Sequence, residues 1–265
     1  MPILHIARYR TRDGVHHGRR DGGDFVRMSA PPWEGGVETG PADRAAEVRV
    51  LAPVTPSKIV CVGLNYRAHI AESATVLPGA QTPREPLLFL KPPSAVIASG
   101  EPIRDPAGVT RLDPEAELAV VIGRRASAVR AEDAMDCVAG LTCFNDVSAR
   151  NYQAQDGQWT RAKGFDTFAP LGPWMAVGLA PDRLALECRV NGQIRQRGST
   201  ADLLFPVAEL IRHISGIMTL EPGDVIATGT PARVSPVRPG DRVEVEVEGI
   251  GVLENAVEMA ACESR

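Results

Sequence analysis

Two glutamates, Glu115 and Glu117, stand two residues apart in DPEAELAVVIG (113–123), at the entrance to an otherwise apolar run. Alternate residues of a strand share a face, with Cα atoms about 6.6 Å apart, so long acidic side chains at this spacing can converge. The chain holds its own control. In DRVEVEVEG (241–249), Arg242, Glu244, Glu246 and Glu248 occupy one parity and Val243, Val245 and Val247 the other, the pattern of a half-buried strand with a solvated charged face. In EAELAVVIG both parities turn apolar after Glu117, as in a strand covered on both sides. Carboxylates converging at the mouth of a core need protons or a cation to offset desolvation and repulsion. An oxygen-rich site for Mg²⁺ or Mn²⁺ meets that need, and an edge strand with exposed acids is the competing reading. Asp146, where an apolar run ends in LTCFNDVSARNYQ, is a candidate third carboxylate. Three carboxylates with waters leave coordination positions for substrate oxygens.

A second constellation is GLNYRAHIAE (63–72), directly after the β-rich run KIVCVG. One helical turn there places His69 and Glu72 on a shared face, where the carboxylate can orient the imidazole for water activation. Alone, such a pair is a weak signal that chance spacing more often explains, and its place in a loop after a strand strengthens it. His5 falls in a strand candidate, His16 and His17 in a turn, and His213 near a helix end. Lysine occurs only at Lys58, Lys91 and Lys163 among 29 basic residues, which draws attention to Lys91 (LLFLKPPS) and Lys163 (QWTRAKGFD). A cation beside a carboxylate-lined site suits an anionic substrate or a developing oxyanion.

Positioning these residues falls mostly to strands. Candidates are ILHIARY (3–9), EVRVLAPV (47–54), KIVCVG, LLFLKPP (87–93), EAELAVVIG, MAVGL (175–179), ALECRVNGQ (185–193), DVIATGTP (224–231) and DRVEVEVEG. Two stretches read as helices: AEDAMDCVAG (131–140) and Phe205 to Ile214, with Pro206 early and Ser215-Gly216 at the exit. The class is mainly β with few helices (α+β), and neither a βαβ rhythm nor a GxGxxG or Walker-type loop is present. The two PGD sequences (222–224 and 239–241) read as turns ahead of strands. A Pro/Gly-rich stretch divides the chain into a small β-rich module, 1–55, and a main region, 56–265.

With 265 residues, 44% hydrophobic content and a formal charge of -4, the chain has an ordinary globular composition and no basic footprint for nucleic acid. No apolar run is long enough for a membrane helix. Five cysteines without CxxC spacing, and no signal peptide, lead us to expect a cytoplasmic protein with reduced thiols.

GLNYRAHIAE, LFLKPPSAVI, RLDPEAELAVVIG, CFNDVSARNYQ, RAKGFDTFAPLGPW, NGQIRQ and TLEPGDVIATGTP, in that order over residues 56 to 255, resemble the fumarylacetoacetate hydrolase family, in the manner of an acylpyruvase or fumarylpyruvate hydrolase. The resemblance implies a mixed β-sandwich roll, with the first 55 residues as the portion that varies among members. It implies that Glu115, Glu117 and Asp146 ligate a divalent cation, usually Mg²⁺ and in some members Mn²⁺ or Ca²⁺. His69 and Glu72 match a catalytic dyad in a lid, and Lys163 matches a lysine that assists at the substrate carbonyl or enolate. Lys91, Gln153 and Thr230 match pocket-lining positions, with Tyr66 as a further candidate substrate contact. Members are commonly homodimers acting on small 2-oxo or diketo acids. Two positions depart from the common pattern: Asn151 stands where aspartate is frequent, bearing on support for Asp146, and Arg233 stands where glycine is frequent.

The expected activity is metal-dependent hydrolysis of a C–C bond in a β-diketo acid of the acylpyruvate or fumarylpyruvate kind, releasing pyruvate. The same residues suit decarboxylation of oxaloacetate or a related 2-oxo diacid, or isomerisation of a 2-hydroxyhepta-2,4-diene-1,7-dioate. A structural protein with an inert cation-stabilised core is the non-enzymatic alternative.

Overall fold

The computed structural model describes residues 2–68, 70 and 82–260; His69 and Glu72 lie outside the described residues. Strands β1 (Leu4–Arg10), β2 (Val15–Asp21), β3 (Asp24–Met28) and β4 (Glu38–Asp43) pair in series, and β5 (Arg49–Leu51) pairs with β1. There follow β6 (Ile59–Gly63), β7 (Leu87–Lys91), β8 (Val96–Ile97), β9 (Ile103–Asp105), β10 (Leu112–Asp113), β11 (Ala116–Ile122), β12 (Val138–Asn145), β13 (Ser148–Ala149) and β14 (Ala169–Val177). The last are β15 (Ala185–Val190), β16 (Gln193–Ser199), β17 (Val225–Ala227), β18 (Arg242–Val247) and β19 (Gly251–Met259). Short α-helices span Arg150–Asp156, Thr160–Gly164 and Val207–Ser215. The chain is mainly β, as expected.

A twelve-stranded sheet runs β4-β3-β2-β1-β14-β12-β11-β17-β6-β7, with β5 beside β1 and β8 beside β14. The N-terminal hairpins continue this sheet through β1 and β14, where Leu4 faces Val177 and Ile6 faces Met175. A five-stranded sheet, β16-β15-β18-β19-β9, packs on one face of the large one. Leu118, Val120, Leu141 and Cys143 meet Leu186, Cys188, Val243, Val245 and Leu253 between the two layers. On the opposite face, Ala119 and Val121 of β11 join Ile59, Cys61, Phe144 and Ala169 in a second cluster. Thus β11 is covered on both sides, which is why neither parity of EAELAVVIG is polar beyond Glu117. In β18, Val243, Val245 and Val247 are each 1% exposed, while Glu244 and Glu246 point outward to Arg189 of β15 (3.1 and 2.6 Å). The charged face read from that alternation exists, cross-linked to the next strand.

Three local expectations are corrected. AEDAMDC forms a 3₁₀ turn, Ala131–Cys137, and the residues after it enter β12 instead of prolonging a helix. Pairing of Val138–Asn145 with β11 and β14 overrides the weak helical preference, and Gly140 lets Met175 approach to 2.6 Å of where a Cβ would stand. His16 and His17 lie in β2, not in a turn. ALECRVNGQ is not one strand: Asn191 and Gly192, both at positive φ (52° and 74°), turn the chain into β16, as Asn-Gly does in two-residue hairpins.

The turn before β17 bears on the site because it joins two neighbouring strands at their starts. Asp224, fully buried, accepts Ser57 Oγ (2.6 Å), the Ser57 and Lys58 N–H groups (3.1 Å each) and Glu221 N–H (2.8 Å), and pairs with the Lys58 ammonium. Burial pushes this carboxyl up, but Lys58, Ser57 and Glu221 outweigh it and hold it below the ordinary aspartate range. A carboxyl depressed on folding stabilises the fold above its unfolded pKa, near pH 4, and that contribution is lost as pH falls through the lower folded value. Asp224→Asn is therefore expected to lower stability at pH 7 by about 2–3 kcal/mol and to flatten the acid limb below pH ~4, as measured by urea unfolding across pH.

Candidate active site

Strand register assembles three carboxylates. Glu117 belongs to β11, Glu115 immediately precedes that strand, and Asp146 immediately follows β12; Ala116 opposes Asn145 in the ladder. Asp146 N–H donates to Glu115 O (2.9 Å), and Glu115 N–H donates to Asn145 Oδ1 (3.0 Å), locking the two strand ends together. One carboxylate oxygen from each acid lies within 4.8 Å of the others, and the residues are only 4, 2 and 1% exposed.

Lysines offset this buried charge. Lys163, on the helix Thr160–Gly164, donates to Glu115 Oε2 (2.7 Å) and Asp146 Oδ2 (2.6 Å). Lys91, at the end of β7, pairs with the other Asp146 oxygen and donates to Val147 O (3.0 Å). Burial disfavours both ammonium forms. At Lys163 the fields of Asp146 and Glu115 prevail and raise its pKa, whereas at Lys91 burial prevails, helped by Lys163, and lowers it. Among the described residues Glu117 forms no ion pair: burial, then Asp146 and Glu115, push its carboxyl well up, against the Gly229 N–H donor at 2.8 Å and the field of Lys163.

The carboxylates open into a cavity of about 440 Å³, which Lys163, Arg150, Arg111, Gln153 and Thr230 also line. Its apolar wall comes from Val62, Leu64, Phe89, Trp159 and Val234. Phe89 and Trp159 meet edge to face with centroids 5.2 Å apart, and Lys163 Nζ lies 5.0 Å from the Phe89 centroid. Trp159 fits because Gly63 lacks a Cβ, which would stand 2.8 Å from its ring. Arg150 is engaged at each of its nitrogens: it pairs with Glu115, donates through Nε to Asp113 (2.8 Å) and through Nη1 to Gln153 Oε1 (2.8 Å). With its oxygen held, Gln153 is left its NH₂ to offer the cavity.

The other sequence-derived residues take different places. Thr230 lines the cavity, but its hydroxyl donates to Ala116 O and accepts from Gln196 Nε2 (2.9 Å each). Gln196 also accepts Ala116 N–H (3.0 Å), so the five-stranded sheet braces the strand that carries Glu117. Neither Tyr66 nor Lys91 lines the cavity; Tyr66 is buried in the intersheet core, its hydroxyl without a partner among the described residues. Asn151 spans Thr110 N–H (3.2 Å) and Gly108 O (3.0 Å) instead of supporting Asp146, and an aspartate could not donate to Gly108. Arg233 is exposed at φ 72°, the left-handed region where glycine carries no steric cost.

Arg150, Asn65 and Gln196 were not singled out in the sequence. Arginine is too common here to stand out, and Asn65 and Gln196 become informative only when burial is known. Asn65, fully buried, donates to Thr228 O (2.8 Å) and Phe205 O (3.1 Å) and accepts Phe205 N–H (2.8 Å), fastening the loop after β6 beside Gly229.

The donor set fits a hard divalent cation: three buried carboxylates, all oxygen, one of them lacking a cationic partner among the described residues. Comparison with known proteins gives a consistent picture. A family model described as "Fumarylacetoacetate (FAA) hydrolase C-terminal" matches residues 58–258, and one described as "Rv2993c-like, N-terminal" matches residues 4–53. Protein Rv2993c of Mycobacterium tuberculosis is 46% identical over 264 residues, 96% of this chain and 98% of that one. Oxaloacetate tautomerase YisK of Bacillus subtilis is 41% identical over 225 residues, 80% of this chain and 74% of that one. Among solved structures, a 2-hydroxyhepta-2,4-diene-1,7-dioate isomerase from Mycobacterium marinum superimposes with a TM-score of 0.89 at 40% identity, covering 99% of this chain and 100% of the other. A maleylpyruvate hydrolase from Sphingobium sp. SYK-6, in complex with manganese(II) and pyruvate, gives 0.78 at 29% identity, covering 97 and 100%.

Truncating Asn65 strands three backbone groups, the buried Thr228 O and the partly buried Phe205 N–H and O. Asn65→Ala is expected to cost about 3 kcal/mol in chemical denaturation, since each unsatisfied buried group costs ~1–3 kcal/mol.

Proposed function

The chain belongs to the fumarylacetoacetate hydrolase family, and on that premise we propose that it is an enolising enzyme for 2-oxo carboxylic acids of the oxaloacetate type, moving a proton between C3 and the 2-oxo oxygen. The observation that carries this reading is the Lys163 ammonium, held by Glu115 and Asp146 at the cavity and kept protonated by them. Relatives named as tautomerase and isomerase stand at 40–43% identity, against 29% for the maleylpyruvate hydrolase.

In this proposal Glu115, Glu117 and Asp146 hold Mg²⁺, or Mn²⁺ or Ca²⁺ in its place. When bound, such an ion supplies a Lewis acid for the oxygens of the 2-oxo acid. The Gln153 NH₂ orients the substrate carboxylate. His69, oriented by Glu72, takes the C3 proton. Lys163 donates to the 2-oxo oxygen, where negative charge grows, and protonation there completes the enol. No bond to water forms or breaks. The apolar wall of Phe89, Trp159 and Val62 keeps bulk water from the enolate. Residues 56–265 supply this machinery, with 1–55 as an appended module.

The similarity to a maleylpyruvate hydrolase favours a second reading, hydrolysis of an acylpyruvate. There the His69–Glu72 pair deprotonates water for attack on the distal carbonyl, the C–C bond breaks, and Lys163 receives the charge of the departing pyruvate enolate. Decarboxylation of oxaloacetate needs the same enolate stabilisation without the nucleophile. We assign the protein to the cytoplasm as a homodimer. Buried free thiols at Cys61, Cys137, Cys143 and Cys188 support a reducing compartment, and exposed Leu87 and Leu90 on β7, at the end of the large sheet, support a partner there.

Exchange of the substrate C3 proton in D₂O, followed by NMR with oxaloacetate and an acylpyruvate, tests the reading. Exchange is expected with Mg²⁺ or Mn²⁺, to cease with EDTA, and to fall by about 100-fold or more in Lys163→Met, the usual loss for a donor at a developing oxyanion. A metal-loaded protein that exchanges no C3 proton overturns the proposal. Mn²⁺ at 100 times its dissociation constant is expected to stabilise the fold by about 2.7 kcal/mol in thermal unfolding, and Glu117→Gln to remove most of that gain.

A further inference from the structure

We propose that Arg111 selects substrates bearing a second carboxylate remote from the 2-oxo end, an inference that rests on the 2-oxo acid reading above. Its basis is an alternating series of charges. Lys91 pairs with Asp146, Asp146 with Lys163, Lys163 with Glu115, Glu115 with Arg150, Arg150 with Asp113, and Asp113 with Arg111. Side-chain exposure along it runs from 0% at Lys91 to 19% at Arg150 and 50% at Arg111, so the series climbs from the cavity floor to its mouth.

The two arginines differ in what they have left to give. Every nitrogen position of Arg150 is engaged, by Asp113, Gln153 and Glu115, so it serves as a strut. Arg111 spends Nε (3.0 Å) and Nη2 (2.9 Å) on Asp113, and its Nη1 has no partner among the described residues. This fork is aimed in advance: Asp113 is fully buried, Arg150 N–H donates to Arg111 O (2.9 Å), and Leu112 is bridged to Ala149 and Val237. Little rotamer freedom remains to be lost on binding an anion.

Charge supports the same conclusion. Asp113 is shared between Arg111 and Arg150, and the series ends on Arg111, which leaves its outer end cationic. A divalent ion on the three carboxylates adds two positive charges for a substrate dianion to meet. The same cavity has an apolar wall, with Val234, Phe89 and Trp159, suited to the carbon chain of a diacid. A substrate ending in a methyl group leaves the Arg111 fork facing hydrocarbon.

Isothermal calorimetry on the Mg²⁺-supplemented protein with 2-oxoglutarate and 2-oxopentanoate isolates the effect, because the two differ in the distal carboxylate. The wild type is expected to bind 2-oxoglutarate about tenfold or more tightly than 2-oxopentanoate, a typical contribution of a charge-assisted fork. Arg111→Met is expected to bring the two within about twofold by weakening only 2-oxoglutarate, with Arg111→Lys intermediate. Equal wild-type affinities, or equal weakening of both ligands in Arg111→Met, overturn the assignment to Arg111 while leaving 2-oxo acid binding intact. Failure of the wild type to bind either ligand overturns the 2-oxo acid reading itself.

Discussion

Three carboxylates buried within 4.8 Å of one another are the constraint around which the molecule is organised. At ~4 Å, two like charges repel by about 4 kcal/mol even at an effective dielectric of 20, so such a cluster persists only with its compensation in place. Lys163 and Lys91 supply it at Asp146 and Glu115, and Arg150 closes the outer side. Glu117 is the one of the three acids without a cationic partner among the described residues. The rarity of lysine gains meaning from this. Two of the three pair with the carboxylate cluster, and the third, Lys58, holds Asp224 where β6 and β17 begin.

Rigidity around the floor comes from fixing its strands in both directions. Within the large sheet, β11 lies between β12 and β17, and each neighbour delivers a site group at its end: Asp146 beyond β12, and Gly229 and Thr230 beyond β17. Across the sheets, Gln196 reaches from β16 to Ala116, Thr230 and Pro231, while Asn65 fastens the loop after β6 to Thr228 and Phe205. These amides are fully hydrogen-bonded inside the core, an arrangement that tolerates little change in geometry. A site whose chemistry depends on ångström placement of like charges is thereby carried on strands, with short helices contributing Lys163, Arg150 and Gln153 from one side.

The charged ladder of β15 and β18 shows what the same residue types do under ordinary conditions. Glu244 and Glu246 lie on an outward face, and Arg189 bridges them at partial exposure. Nothing there forces the acids together, because water solvates the remaining charge. The contrast with Glu115 and Glu117 lies in what covers the strand, not in the Glu-x-Glu spacing.

Periodicity alone determined that contrast: alternation marks β18 as half-buried and its loss marks β11 as enclosed, because side-chain direction on a strand has a period of two. It likewise determined the β class, and motif order carried the family. What lay beyond it was decided by pairing between distant segments. AEDAMDC gives way to β12 because the neighbouring strands claim its continuation, and Asn-Gly turns the chain because φ is positive at both residues. Asn151 serves Gly108 and Thr110 rather than Asp146, and Tyr66 turns into the core. The charge series from Lys91 to Arg111 joins residues from β7, β10 and the residue before it, the start of β11, the end of β12 and two helices. Electrostatic partnership depends on distance through space, and no spacing along the chain encodes it.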